Sequence, residues 1–178
     1  MTEPDGKPKS LARRRHAARL AAVQALYQIE QTGAETDAES VILEFAEHRG
    51  GAVLAETMGD AAADLDQAHF ADLVRGSSRR QVDIDKWLGQ ALVKGWPLTR
   101  LDAVLRAILR CGTYELWARG DVPAKVVISE YVDLADAFFG GDEVGMVNAV
   151  LDRIGRRLRQ GDLAPLDPDP HDRNGTTG

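Results

Sequence analysis

Helical periodicity constrains this chain more than any other feature. Leu101, Val104, Leu105, Ile108 and Leu109 follow one another at spacings of three, one, three and one. Side chains three or four residues apart share one face of an α-helix, so this pattern makes a helix with a single buried stripe. The same period runs through Val127, Ile128, Tyr131, Ala135 and Phe138, and again through Val144, Val147, Val150, Leu151, Ile154 and Leu158. Within residues 12–159 there is no strand-like alternation and no Asn-Gly hairpin turn. The expected fold is therefore all-α, with six or seven helices.

The first helix is expected from about Ala12 to Gln31, with Leu20, Val23, Leu26 and Tyr27 on one face. A second covers about Asp37 to Glu56, broken near Arg49–Gly51, and a longer one runs from about Leu65 to Lys94 with a kink at Gly76-Ser77-Ser78. Gly95 and Pro97 flank Trp96 and break the chain. The helix through Leu105 then ends near "ARGDVP", where Gly120 suits a left-handed cap. Pro123 falls in the first turn of the next helix, which stops at Gly140-Gly141, and Asp142 is placed to cap the last one. Short connections imply antiparallel neighbours. Residues 1–11 read as a flexible basic tail, 12–159 as the helical domain, and 160–178 as a disordered tail too rich in Pro, Gly and Asp to recover its ordering entropy.

At 178 residues and 44% hydrophobic the chain makes one domain with a sizeable core. No apolar run approaches the roughly 20 residues of a membrane span. Arg19, Gln24 and Gln28 interrupt the apolar residues behind the basic amino end, so it is not a secretory signal. A single cysteine, Cys111, cannot form an internal disulfide, which fits a cytoplasmic protein. His16, His48, His69 and His171 are scattered, and no phosphate-cradling glycine loop occurs. "GGDEVG" (Gly140–Gly145) reads as a helix stop and a cap. Asp83 and Asp85 diverge around a helix and read as solvated, and Cys111 lies beside an apolar stripe as an inert thiol. No metal, cofactor or catalytic residue is expected, so the chain reads as a binder and not an enzyme.

Charge says where it would bind. Residues 1–19 carry a net +4, through Lys7, Lys9, Arg13, Arg14, Arg15 and Arg19 against Glu3 and Asp5, while residues 20–178 carry −10. Basic residues in a first helical turn oppose the helix dipole, so local helix stability would favour acids there. Guanidinium groups bind phosphate bidentately and stack on bases. Arg13, Arg14 and Arg15 fan over about 200° of helix, whereas Arg15 and Arg19 share a face. The pattern points to a nucleic acid and, from charge alone, leaves RNA and DNA open. A solvated basic helix start is the plainer reading.

Three separated segments, "RRRHAARLAAVQALYQ", "RAILRCGTYELWARGDVPAKVVISEYVDLADAF" (Arg106–Phe138) and "MVNAVLDRI" (Met146–Ile154), together resemble the NusB family of bacterial transcription antitermination factors. The resemblance spans about residues 12–158 and implies two small helical bundles packed together. It also implies binding to boxA-type single-stranded RNA of ribosomal RNA leaders alongside NusE, a small-subunit ribosomal protein. The pair would help RNA polymerase read through terminators and support ribosomal RNA maturation. Carried over, Arg13, Arg14, Arg15 and Arg19 would contact RNA, with Lys9 and Gln24 as additions and Asp142, Glu143 and Met146 near the same surface. Tyr27, Leu105, Arg106 and Arg110 would belong to the NusE-facing side. The family includes monomers and homodimers.

Some residues depart from the family pattern. Two extra residues separate the arginines from Val23-Gln24-Ala25-Leu26-Tyr27, which rotates the triplet by about 200° if the arm is helical there. Met146 stands where Phe is usual, Ala149 where Gly is usual, and Leu105 where an acidic residue is expected. Asn148 reads as a hydrogen-bonder between helices, and Glu115 and Glu130 as solvated or capping. The helical module also resembles the amino-terminal domain of a ribosomal RNA cytosine methyltransferase, whose catalysis needs a following α/β domain. A helical protein-interaction module with an incidental basic end is the other alternative.

Overall fold

The helical stripes close around one central helix. A computed structural model describes residues 10–33, 37–47 and 65–163, which form seven α-helices and one 3₁₀ turn with no strand among them. The helices are α1 (Leu11–Thr32), α2 (Ala38–Glu47), α3 (Gln67–Arg79), α4 (Gln81–Ala91), α5 (Ala103–Ala118), α6 (Ala124–Phe138) and α7 (Asp142–Leu158), with the 3₁₀ turn Leu98–Arg100 leading into α5. Lys9, His48, the expected break at Arg49–Gly51 and most of both expected tails lie outside the described residues.

α1, α2 and α3 pack as one bundle and α4 to α7 as another, joined where α1 and α3 lie on α5. α5 supplies the shared core through Leu105, Ile108, Leu109, Cys111 and Leu116, all buried. Each such aliphatic side chain contributes about 1.5–3 kcal/mol on burial. Phe45 of α2 stacks on Phe70 of α3 with ring centroids 5.4 Å apart, which fixes the short second helix to the first bundle. Cys111 is inert, as expected, because burial pushes its thiol up to about 12.

The long third helix is in fact two. The break falls at Arg80 (φ −106°, ψ 16°), beyond Gly76-Ser77-Ser78, and α4 ends at Ala91. Gly76 serves packing, because a Cβ there would overlap the ring of Tyr114 on α5. Tyr114 in turn donates its hydroxyl to Asp72 of α3 at 2.9 Å. We expect Gly76→Ala to cost about 1–3 kcal/mol by overpacking. A shift of the urea midpoint would read it, and an unchanged midpoint would show that the tyrosine swings clear freely.

Three expected caps differ. α5 is C-capped by Arg119, and Gly120 is not among the glycines with positive φ. Pro123 precedes α6 as its N-cap instead of sitting in its first turn. Gly141 (φ 63°) is the N-cap of α7, so Asp142 is its first residue and makes no side-chain cap. Gly140 (φ 106°) and Gly141 form a turn that only glycine adopts without strain, and Asp142 and Glu143 then complement the positive helix end.

Candidate nucleic-acid interface

α1 begins ahead of the arginine triplet, because the Ser10 hydroxyl accepts the Arg13 N–H at 3.4 Å. Arg13, Arg14 and Arg15 are therefore all helical. Arg13 is exposed and has no ion-pair partner among the described residues; Arg14 and Arg15 are half-buried. The Arg14 carbonyl accepts the Asp66 N–H at 3.1 Å, which ties the segment entering α3 to this helix end. Arg15 sits 3.8 Å from Asp66 and 3.6 Å from Asp121, long pairs that contribute little. Asp121 is held chiefly by Arg119, which donates to it at 2.9 and 3.0 Å and keeps its carboxyl well below the usual range. The Arg15 guanidinium is thus only loosely committed.

Arg19 is different. It is 2% exposed and donates three hydrogen bonds of 2.6–3.1 Å to Glu115 of α5, with Glu130 of α6 another 3.5 Å away. Its guanidinium faces the interior, so the expectation that it touches RNA is corrected: it anchors α1. Glu115 is wholly buried and also accepts the Tyr131 hydroxyl at 2.8 Å. His69 Nε2 lies 3.2 Å from it, within ion-pair range but off the line of a hydrogen bond. Burial pushes the Glu115 carboxyl up, yet His69 and Arg19 outweigh this and hold it at about 2. Glu115 is therefore neither solvated nor capping. The apolar stripe pointed to it, since Ile108, Cys111 and Gly112 lead to 115 on the same face.

His16, one turn before Arg19, places Nδ1 2.6 Å from Glu130 Oε2. That contact raises the imidazole above its ordinary value although burial opposes it, and lowers the Glu130 carboxyl. Glu130, like Glu115, is an internal partner of α1. Gln24 is half-buried further along the helix.

Asp142, Glu143 and Met146 do not join the arginines. Glu143 shares a groove with Leu101, Asp102, Leu105 and Phe139 at the amino end of α5. Arg15 meets Asp121 beyond the opposite end of that 16-residue helix. At 1.5 Å per residue the helix alone spans about 24 Å. Asp142 is exposed and Glu143 and Met146 half-buried; Asn148 is exposed too, instead of joining two helices.

Of the residues expected to face a protein partner, Tyr27 is 40% exposed. Leu105 is 2% exposed and belongs to the core. Arg106 and Arg110 both grip Glu30 of α1, and Arg110 also donates to Asp85 of α4 at 2.9 and 3.0 Å. These pairs lower the Glu30 carboxyl, first through Arg106, and occupy Asp85, which is consequently not merely solvated. Both arginines join the far end of α1 to the second bundle.

Among the described residues no group of three His, Cys, Asp or Glu could hold a metal ion, and no helix is long and apolar enough to cross a membrane. The architecture defines an all-helical, two-bundle protein with arginines at one helix end. Comparison with known proteins makes this specific. The NusB family model matches residues 16–156. The chain is 54% identical over 153 residues to the transcription antitermination protein NusB of Nitrobacter hamburgensis, covering 86% of this chain and 92% of that one. It is 52% identical over 157 residues to the NusB of Rhodopseudomonas palustris, covering 88% and 90%. A solved structure of T. maritima NusB matches with a TM-score of 0.62 and 29% identity over 88% of this chain and 93% of that one. The chain belongs to the NusB family of transcription antitermination proteins. The arginine triplet precedes the matched residues, whereas His16, Arg19, Glu115 and Glu130 fall within them.

Proposed function

We propose that this chain is a cytoplasmic antitermination factor that binds boxA-type single-stranded RNA of ribosomal RNA leaders together with NusE, promoting read-through and ribosomal RNA maturation. The observation that carries this is the helix start itself. Arg13 is exposed, with Arg14 and Arg15 fanned beside it, on a body carrying −10 beyond residue 19. Such a body repels nucleic acid generally, so a strand is drawn to this one end and held in a defined direction. The buried Arg19–Glu115 pair keeps the arginines in place on a rigid helix. The strand's unpaired bases remain open to reading by their edges and by stacking. Asp142, Glu143 and Met146 would meet a different stretch of the same RNA. Tyr27, near the Glu30–Arg106–Arg110 cluster along α1, would lie on the NusE side.

Fluorescence anisotropy of a boxA-like RNA against a scrambled one, each with and without NusE, tests the reading. The expected result is a preference for boxA that NusE tightens. Equal binding of both RNAs with NusE present would overturn it.

A further inference from the structure

A second basic surface lies round α5 from the buried glutamate. Trp117 is two residues beyond Glu115 and so about 200° round the helix. It shares an open groove with Trp87 of α4, and both indoles are half-buried. Arg80, at the break between α3 and α4, lays its guanidinium 4.8 Å from the centroid of the Trp117 ring. Lys86 and Gln90 line the same groove, and Arg157 of α7 donates to Gln90 at 3.1 Å. Arg153, one turn earlier on α7, donates to the Ala91 carbonyl at 2.8 Å. Arg80, Lys86, Arg153 and Arg157 are all exposed, and none forms an ion pair with a described residue. This sets them apart from Arg19, Arg106, Arg110 and Arg119, whose carboxylate partners occupy them. Asp83 is the one carboxylate lining the groove.

We propose that this groove is a second single-stranded RNA site, separate from the arginine triplet. Flat aromatic faces next to unpaired cations are what unpaired bases and their phosphates use: bases stack on indole and guanidinium planes while cations track the backbone. Gln90 and Asp83 supply a donor and acceptors for base edges. An acidic peptide would match the cations equally well, but its carboxylate side chains bring no flat face for the tryptophans. The groove and the first site both lie toward the carboxyl end of α5. Arg119, two residues beyond Trp117, holds the Asp121 that Arg15 approaches. The proposal extends the RNA-binding reading but stands on its own residues.

The test is tryptophan emission of full-length Trp96→Phe protein, which retains Trp87 and Trp117, titrated with a mixed-sequence single-stranded RNA of about twelve nucleotides. Stacking quenches this emission. We expect saturable quenching that persists when Arg13, Arg14 and Arg15 are all replaced by alanine. Arg80→Ala/Lys86→Ala, two exposed changes, should raise the RNA concentration needed for half-quenching about tenfold, the size expected for a lost stacking contact. A thermal melt confirms that this variant is folded. The proposal is overturned if emission does not change, if quenching is indifferent to the Arg80/Lys86 change, or if it vanishes with the triplet. Failure here leaves boxA preference in anisotropy untouched, so the two readings fall separately.

Discussion

Glu115→Ala should lower the stability of the protein by about 3–5 kcal/mol, the usual cost of stranding one member of a buried ion pair. For a chain of this size that is a fall of roughly 6–20 °C in Tm. The carboxylate is wholly buried and receives three bonds from Arg19 and one from Tyr131. Without it the guanidinium has only Glu130, 3.5 Å away, and the tyrosine hydroxyl loses its acceptor. Replacing Arg19 and Glu115 together by leucine should cost less than the sum of the single changes, because no charge is left stranded. The pH dependence has a definite sign. The folded carboxyl is held at about 2, below its ordinary 4.5, so its contribution is fully present above pH 4.5 and is lost as pH falls toward 2. The gap between wild type and Glu115→Gln should therefore narrow down the acid limb. Urea midpoints at neutral and acid pH measure this. A Glu115→Ala midpoint equal to wild type would show that the network is not what docks α1.

That network also marks what could be read ahead of the structure. α5, α6 and α7 declared themselves because each carries an apolar stripe long enough to fix its face, and the Gly140-Gly141 stop between α6 and α7 needs no tertiary information. The break at Arg80 was hidden, since Arg79-Arg80-Gln81 contains neither glycine nor proline. Arg15 and Arg19 share one helix face, yet periodicity does not say whether a charged position faces solvent or an opposite charge. Arg19's partner is 96 residues away in sequence, and only the fold brings the two together. The same holds for Arg106 and Arg110, basic on paper but spent on Glu30. Resemblance located α1 as the important element. Which of its arginines is spent on a buried carboxylate is a question of packing.

This division of labour makes the second large effect specific. Replacing Arg13, Arg14 and Arg15 by alanine should flatten the slope of log RNA affinity against log salt by about two units, whereas Arg19→Leu should leave that slope intact and cost stability instead. Each phosphate contact on a single strand contributes about −0.7 to the slope of log affinity against log salt. Three such contacts then supply a slope of about −2, or a loss of more than tenfold in affinity between 50 and 200 mM salt. Any steeper slope in wild type must come from other cations, and the part that survives in the triple variant measures them. Unfolding cannot mimic the result. Cations in the first turn oppose the helix dipole by roughly 0.3–1 kcal/mol each, so their removal should leave Tm unchanged or slightly raised. Anisotropy titrations across salt, with a melt of each variant, read both quantities. A wild-type slope in the triple variant would mean that the strand bypasses this helix end. A flattened slope in folded Arg19→Leu would mean that the buried arginine reaches the RNA after all.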